Sequence, residues 1–471
     1  MDTIWQPVLS PDAAGKAGAP KYLALVRALR DAIRAGDLAE GRQLPTVRDL
    51  AWRLGVTPGT VSRAYQIATL EGLLEATVGR GTFVACTSPR LGPKTPLMSE
   101  RNLRADPGRI DLRSPSLPDL GQGAAIAGAL RRISVQNAAE WLDYPSQSQE
   151  QPLREAVCDW LSNRVLGAFG AADIMLTHGG QNAIGLILDC CLRGDRPVVL
   201  TEELSYPGFR YAARAARAEV IGLEMDDEGI RPEALEAACR RHGPQVLCLT
   251  PSGQNPSTAQ MSRSRMAAIV SIAQRHNLQI IEDECYPAVH SDAPSLRALA
   301  PDRVWYMGSL SKTFSAALRF GYVVCPAGMG EAGRLTAQHS YFALSRLTSA
   351  LCLDLLTSGQ AVAIRTAVLA DYSERLQIVV NRLGAFDLCW APGLPFVWLR
   401  LAQGWRATTF AKAAEEAGVL MRSADQYAMV HGRAPNAVRL AVAGNCTRAE
   451  LERGVGILAR LLASPPSDMA V

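Results

Sequence analysis

A chain of 471 residues exceeds the size at which one core usually keeps growing, so two or more domains are expected. With 48% hydrophobic residues, 39 glycines and 28 prolines it is neither disordered nor collagen-like, and no stretch approaches the roughly 18 apolar residues of a membrane span. The net charge of +4 hides an asymmetry: residues 1–109 carry 15 Lys and Arg against 10 Asp and Glu, the remainder 34 against 35, so the expectation of a polyanionic partner attaches to the front. Eleven cysteines without a CxxC pair indicate reduced core thiols in a cytoplasmic protein, with neither a disulfide framework nor a metal site.

Between Pro20 and Gly36, Tyr22, Val26, Leu29 and Ile33 recur at helical spacing with arginines between them. Thr46 opens a second helix carrying Val47, Leu50, Ala51 and Leu54, which Gly55 stops. Thr57 caps a third that starts at Pro58 and runs through Val61, Tyr65 and Leu70 to Gly72. Two short helices on a tight turn make a helix-turn-helix, and residues 73–78 and 82–85 read as strands of a wing with a basic Gly79-Arg80-Gly81 tip. Such a second helix enters the major groove N-terminus first, so Thr57, Thr60 and Arg63, flanked by Arg48, are the residues expected on double-stranded DNA, with Arg80 in the neighbouring groove. Residues 1–86 form this domain, and the proline-punctuated stretch 87–108 is a linker.

From 109 to 471 apolar strands alternate with helical segments, which indicates an α/β fold with a mostly parallel sheet and a smaller C-terminal lobe from about Arg346. Beyond the linker only Lys312 and Lys412 are lysines, and Lys412 sits beside Glu415 and Glu416 on a solvated helix face. Lys312 instead follows a strand in Gly308-Ser309-Leu310-Ser311-Lys312, where open α/β sheets bind ligands. A lysine there can form a Schiff base with a carbonyl cofactor, while Ser309, Ser311 and Arg319 can hold a phosphate. Neighbouring strands end in Asp283, fit to pair with a pyridine nitrogen, with Tyr286 three residues on, and in the rigid turn carrying Asn255. Another ends in His178-Gly179-Gly180-Gln181, an anion cradle at a helix N-terminus.

Two resemblances follow from these motifs. The run from Gly41 to Val84, with Leu-Gly-Val-Thr-Pro-Gly-Thr-Val-Ser-Arg-Ala-Tyr at its centre, resembles the winged helix of GntR-family transcription regulators, which implies dimeric DNA binding through Arg48, Thr57, Thr60, Arg63 and the wing. Residues 109–460 resemble fold-type I aminotransferases. That likeness implies pyridoxal 5'-phosphate as cofactor on Lys312, the catalytic lysine, with Asp283 at the pyridine nitrogen, Asn255 and Tyr286 at the ring oxygen, Tyr206 stacked on the ring, and Gly180, Gln181, Ser309, Ser311 and Arg319 around the phosphate. It further implies Arg439 as the substrate-carboxylate clamp and Tyr144 as the tyrosine that crosses a dimer interface, although Tyr144 here runs into Pro145-Ser146-Gln147 in place of the family's glycine-containing turn. The two halves together resemble the MocR subfamily of regulators. That implies a head-to-tail homodimer that senses the cofactor, an amino acid or an amine, with an active aminotransferase as the rival reading.

Overall fold

The computed structural model describes residues 20–77, 81–85, 108–135, 141–286, 293–429, 434–442 and 446–464. They belong to two compact units, Met1–Pro96 and Leu97–Val471. The expected linker over 87–108 lies outside the described residues except for Gly108.

In the first unit helices α1 (Lys21–Ala35), α2 (Val47–Leu54) and α3 (Pro58–Leu70) precede a hairpin of β1 (Leu74–Thr77) and β2 (Gly81–Val84). The capping chemistry sets the boundaries. Thr46 and Thr57 accept the amides of Asp49 and Thr60, and Gly36 and Gly55 end α1 and α2 in the left-handed region, at φ 83° and 60°. The helices close on Leu25, Leu29, Leu50, Val61, Ala64 and Leu74, all buried.

The second unit is built on a seven-stranded sheet. In chain order its strands are β3 (Ile174–Thr177), β4 (Val198–Glu202), β5 (Glu219–Leu223), β6 (Val246–Leu249), β7 (Gln279–Asp283), β8 (Val304–Ser309) and β9 (Gly321–Val324). Across the sheet they run β3-β9-β8-β7-β6-β4-β5, with only β9 antiparallel to its neighbours. Met175, Val246, Ile281, Trp305 and Val323 face one hydrophobic layer, whereas Ile174, Leu247, Ile280, Tyr306 and Val324 face the other side. Burial on both faces is why these strands are continuous apolar runs rather than alternating ones. β5 escaped the sequence reading because it is an edge strand whose residues are mostly only partly buried.

A smaller antiparallel sheet forms the C-terminal lobe, with β10 (Leu388–Cys389), β11 (Phe396–Arg400), β12 (Arg422–Ser423) and β13 (Ala437–Ala441) in the order β10-β11-β13-β12. The chain enters the unit through this lobe: Ile110 and Asp111 pair with Val419 and Leu420, and Leu112 accepts the amide of Ala441. No single helix among the described residues is long and apolar enough to cross a membrane.

Candidate cofactor and nucleic-acid sites

Because β3, β6, β7 and β8 run parallel, their C-terminal ends meet at one edge of the sheet, and there the structure brings the strand-end motifs together. β8 ends at Ser309 and passes into one 3-10 turn, Leu310–Lys312. That turn is pinned from below by buried Leu310 and Phe314, and from the side by Tyr372, whose hydroxyl donates to the Lys312 carbonyl at 3.1 Å. The partly buried Lys312 Nζ donates to the Pro115 carbonyl at 3.2 Å. Burial, then the Arg439 cation, pushes the Lys312 ammonium down to about 8.

Asp283 ends β7 and accepts the Cys285 amide at 3.0 Å; burial holds its carboxyl above the usual range. Cys285 sits among Asp283, Ser309, Lys312 and Gly180, and a Cβ at Gly180 would lie 2.7 Å from its sulfur. The helix α4 (Gly180–Cys191) starts after Gly179 with no side-chain cap, so its N-terminus is open to an anion. Gly179 adopts φ +83°, and a Cβ there would meet Arg319 Nη2 at 2.8 Å. Arg319, at φ 48°, turns back so that this Nη2 donates to the His178 carbonyl at 3.1 Å. Burial and this guanidinium hold the His178 imidazole below its ordinary value. Gln181 donates to the Gly208 carbonyl at 2.9 Å, and Tyr206 precedes helix α5 (Pro207–Ala215) on the same side, its hydroxyl pushed up to about 12 by burial and by Asp283.

The loop after β6 is fixed by Gln254, which donates to Glu202 Oε2 at 3.1 Å and to the Leu204 carbonyl at 2.6 Å. It presents Asn255, whose Oδ1 accepts Arg439 Nη1 at 2.7 Å. Arg439, in β13, also donates to the Arg113 carbonyl at 2.7 Å, and its guanidinium lies over Phe396 and Tyr427. The ring of Tyr286 packs edge-on against Phe396, 5.1 Å between centroids. Tyr144 is elsewhere: 85% exposed, it meets Phe342 at 5.9 Å, and no described contact joins it to the Lys312 cluster of its own chain.

In the first unit Arg48 is exposed on α2. The Thr57 and Thr60 hydroxyls, 3.0 Å apart, are partly committed to capping α3, and the exposed Arg63 lies over the Tyr22 ring at 4.8 Å. Arg80 falls outside the described residues.

Sequence reasoning missed Cys285, the carbonyls of Arg113 and Pro115, and Arg422. The last donates to the Arg113 carbonyl and stands opposite Arg439. Backbone carbonyls carry no residue signature, and the Arg422 pairing depends on a strand register that single-sequence periodicity does not supply.

Comparison with known proteins agrees with both units. The family aminotransferase class I and II matches residues 111–458, and bacterial regulatory proteins, gntR family, matches residues 21–84. The chain is 28% identical over 465 residues to the HTH-type transcriptional regulator YdeF of Bacillus subtilis, covering 97% of this chain and 96% of that one. It is 26% identical over 388 residues to the probable rhizopine catabolism regulatory protein MocR of Rhizobium meliloti, covering 77% of each. An archaeal alanine:glyoxylate aminotransferase shares the fold at TM-score 0.67 and 23% identity over 75% of this chain and 91% of that one. Kynurenine aminotransferase of Pyrococcus horikoshii does so at 0.66 and 22% over 77% and 92%. The chain thus belongs to the class I and II aminotransferase family through its larger unit and, with a gntR-family domain in front, to the MocR type of transcription regulator.

Proposed function

We propose that this chain is a DNA-binding transcription regulator whose aminotransferase-like unit holds pyridoxal 5'-phosphate on Lys312, binds an amino compound there, and uses its occupancy to bias DNA binding by the front unit. The observation that carries the reading is Lys312: a lysine of lowered basicity at the convergence of four strand ends, in a chain that also bears a helix-turn-helix.

The residues present fit the cofactor. The Ser311 Oγ and Gln181 Oε1 are buried without a hydrogen-bond partner, the α4 N-terminus is uncapped, and the Gly179–Gly180 turn carries no side chain over it, a Cβ there meeting Arg319 Nη2 at 2.8 Å or Cys285 Sγ at 2.7 Å. When bound, the cofactor supplies an aldehyde that condenses with amines and a ring that withdraws electrons. Gly180, Gln181, Ser309, Ser311 and Arg319 hold its phosphate in this reading, Asp283 the pyridine nitrogen, Asn255 and Tyr286 the ring oxygen, and Tyr206 the ring face. Arg439 clamps the carboxylate of the amino compound, while the lowered basicity of Lys312 leaves a usable fraction of free amine near neutrality.

The working unit is a homodimer. Support comes from large apolar side chains left exposed on this unit, Val135, Leu142, Tyr144 and Phe342, each at least 68% accessible. Arg48, Thr57, Thr60, Arg63 and Arg80 form the DNA-reading set, and two copies suit a two-fold operator.

The test is borohydride reduction of the cofactor-loaded protein followed by peptide mass spectrometry, paired with operator gel shifts. Label on Lys312, and its loss in Lys312→Ala together with the effector response in the gel shift, is the expected result. Label on another residue, or an unchanged effector response in Lys312→Ala, overturns the reading. Steady cycling of the cofactor absorbance with amino donor and keto acid favours turnover over sensing.

A further inference from the structure

We propose that the carboxylate end of this site reads a second acidic group through Arg422, so that the ligand is an amino acid with an acidic side chain. The inference rests on Arg439 as the clamp for the first carboxylate. Arg422 and Arg439 are direct cross-strand partners on β12 and β13, so their side chains leave the same face of the small sheet. Arg439 Nη2 and Arg422 Nε both donate to the single carbonyl oxygen of Arg113, at 2.7 and 3.0 Å. Two guanidinium groups are thereby held no further apart than those two bonds laid end to end.

Their other hydrogen bonds run to neutral acceptors: Asn255 Oδ1 for Arg439, and Ser114 Oγ and Gln426 Oε1 for Arg422. Asp111, the acid whose charge reaches Arg422, is engaged by Arg113 through Nε, Nη2 and the backbone amide. Among the described residues neither Arg422 nor Arg439 has a carboxylate partner. Two cations side by side in a partly desolvated site repel each other, and each has given up hydration without an opposite charge in return.

Two unpartnered polar atoms mark the same place. Arg439 Nε and the Tyr427 hydroxyl are buried without a hydrogen-bond partner, both residues are only 3% exposed, and the Arg439 guanidinium lies 5.0 Å from the centre of the Tyr427 ring. Clipping residues 113 and 114 onto the lobe requires donors but not a charge, so that role leaves the cation at position 422 unexplained. A ligand with one carboxylate neutralises one of the two guanidinium groups; an acidic side chain neutralises the other and gives Tyr427 an acceptor.

The experiment uses the full-length, cofactor-loaded protein. L-aspartate and L-glutamate are titrated against L-asparagine, L-glutamine and L-alanine by cofactor absorbance. Succinate is titrated against succinamate by calorimetry, which needs no amine. We expect the acids to bind about tenfold or more tighter than the amides, the scale of one charge-assisted hydrogen bond. Arg422→Gln brings that ratio close to one, Arg422→Lys keeps part of it, and Tyr427→Phe lowers acid affinity several-fold. A wild-type ratio near one, or a ratio that Arg422→Gln leaves intact, overturns the proposal; if Arg422→Gln does not fold, Tyr427→Phe and Arg422→Lys decide by the same ratio. Failure of the underlying reading looks different: no amino acid moves the absorbance and Arg439→Gln does not weaken succinate, whatever Arg422 does.

Discussion

Replacing Gly321 by alanine tests whether close backbone approach shapes the cofactor cradle. Gly321 lies in β9, opposite Ser309 on one side and Thr177 on the other. A Cβ there would stand 2.7 Å from Thr177 Oγ1 and 2.9 and 3.0 Å from Gly179 Cα and C. The hydroxyl could rotate away, but the Gly179 backbone must retreat, and it is already backed by Arg319. Overpacking of this kind costs about 1–3 kcal/mol. Spread over the unfolding entropy of so large a unit, that is a drop of about 1–4 °C in its melting temperature. The same retreat opens the turn over the α4 N-terminus, so cofactor affinity falls by about tenfold, the worth of one distorted hydrogen bond to a charged group. Gly185→Ala is the control: mid-helix, with nothing within 4 Å of its Cβ, it stabilises by about 0.5–1 kcal/mol and leaves cofactor binding alone. Differential scanning fluorimetry and titration of the cofactor absorbance measure both effects. Should Gly321→Ala melt and bind as wild type does, the approach of β9 is not what forms the cradle.

Three further outcomes are expected. Covalent capture of cofactor, trapped by borohydride across a pH series, should rise with pH through a midpoint of about 8, because burial and Arg439 favour the free amine of Lys312; Arg439→Gln should move the midpoint upward, and a wild-type midpoint near 10.5 contradicts the assignment. Arg164 pairs with the buried Glu284 at 2.9 Å, so Arg164→Met should destabilise by about 3–5 kcal/mol in denaturant titrations and Glu284→Gln added to it should recover part of the loss; no recovery removes the ion pair as the cause. Arg63→Ala should weaken operator binding and flatten its salt dependence by about one unit of slope, whereas Tyr22→Leu, which removes only the ring beneath Arg63, should weaken binding less and keep the slope. Gel shifts over a salt series separate the two.

What the sequence made legible divides along physical lines. β3, β6 and β8 were readable because burial on both faces writes them as unbroken apolar runs, and α2 and α3 because Thr46, Thr57, Gly55 and Pro58 mark their ends chemically. The strand-end residues Asp283, Asn255 and Lys312 could be placed beside one another from parallel topology alone. Side chains whose meaning comes from a non-local register could not: Arg422 gains its significance only opposite Arg439, and Cys285 only beneath Gly180. Within one chain the Tyr144 ring meets Phe342 and solvent, so the phosphate contact its family counterpart makes would need a second copy.

The segment that enters the second unit has a dual attachment. Its start is stitched to the lobe through Ile110 and Asp111, and within five residues its carbonyls at Arg113 and Pro115 receive Arg439, Arg422 and Lys312. On the proposed reading, a cofactor on Lys312 and carboxylates on Arg439 and Arg422 would compete for the donors that these two carbonyls now hold, so occupancy of the site and the seating of residues 113–115 would be one equilibrium. Reciprocity would follow: whatever factor a ligand imposed on operator affinity, the operator would impose on ligand affinity.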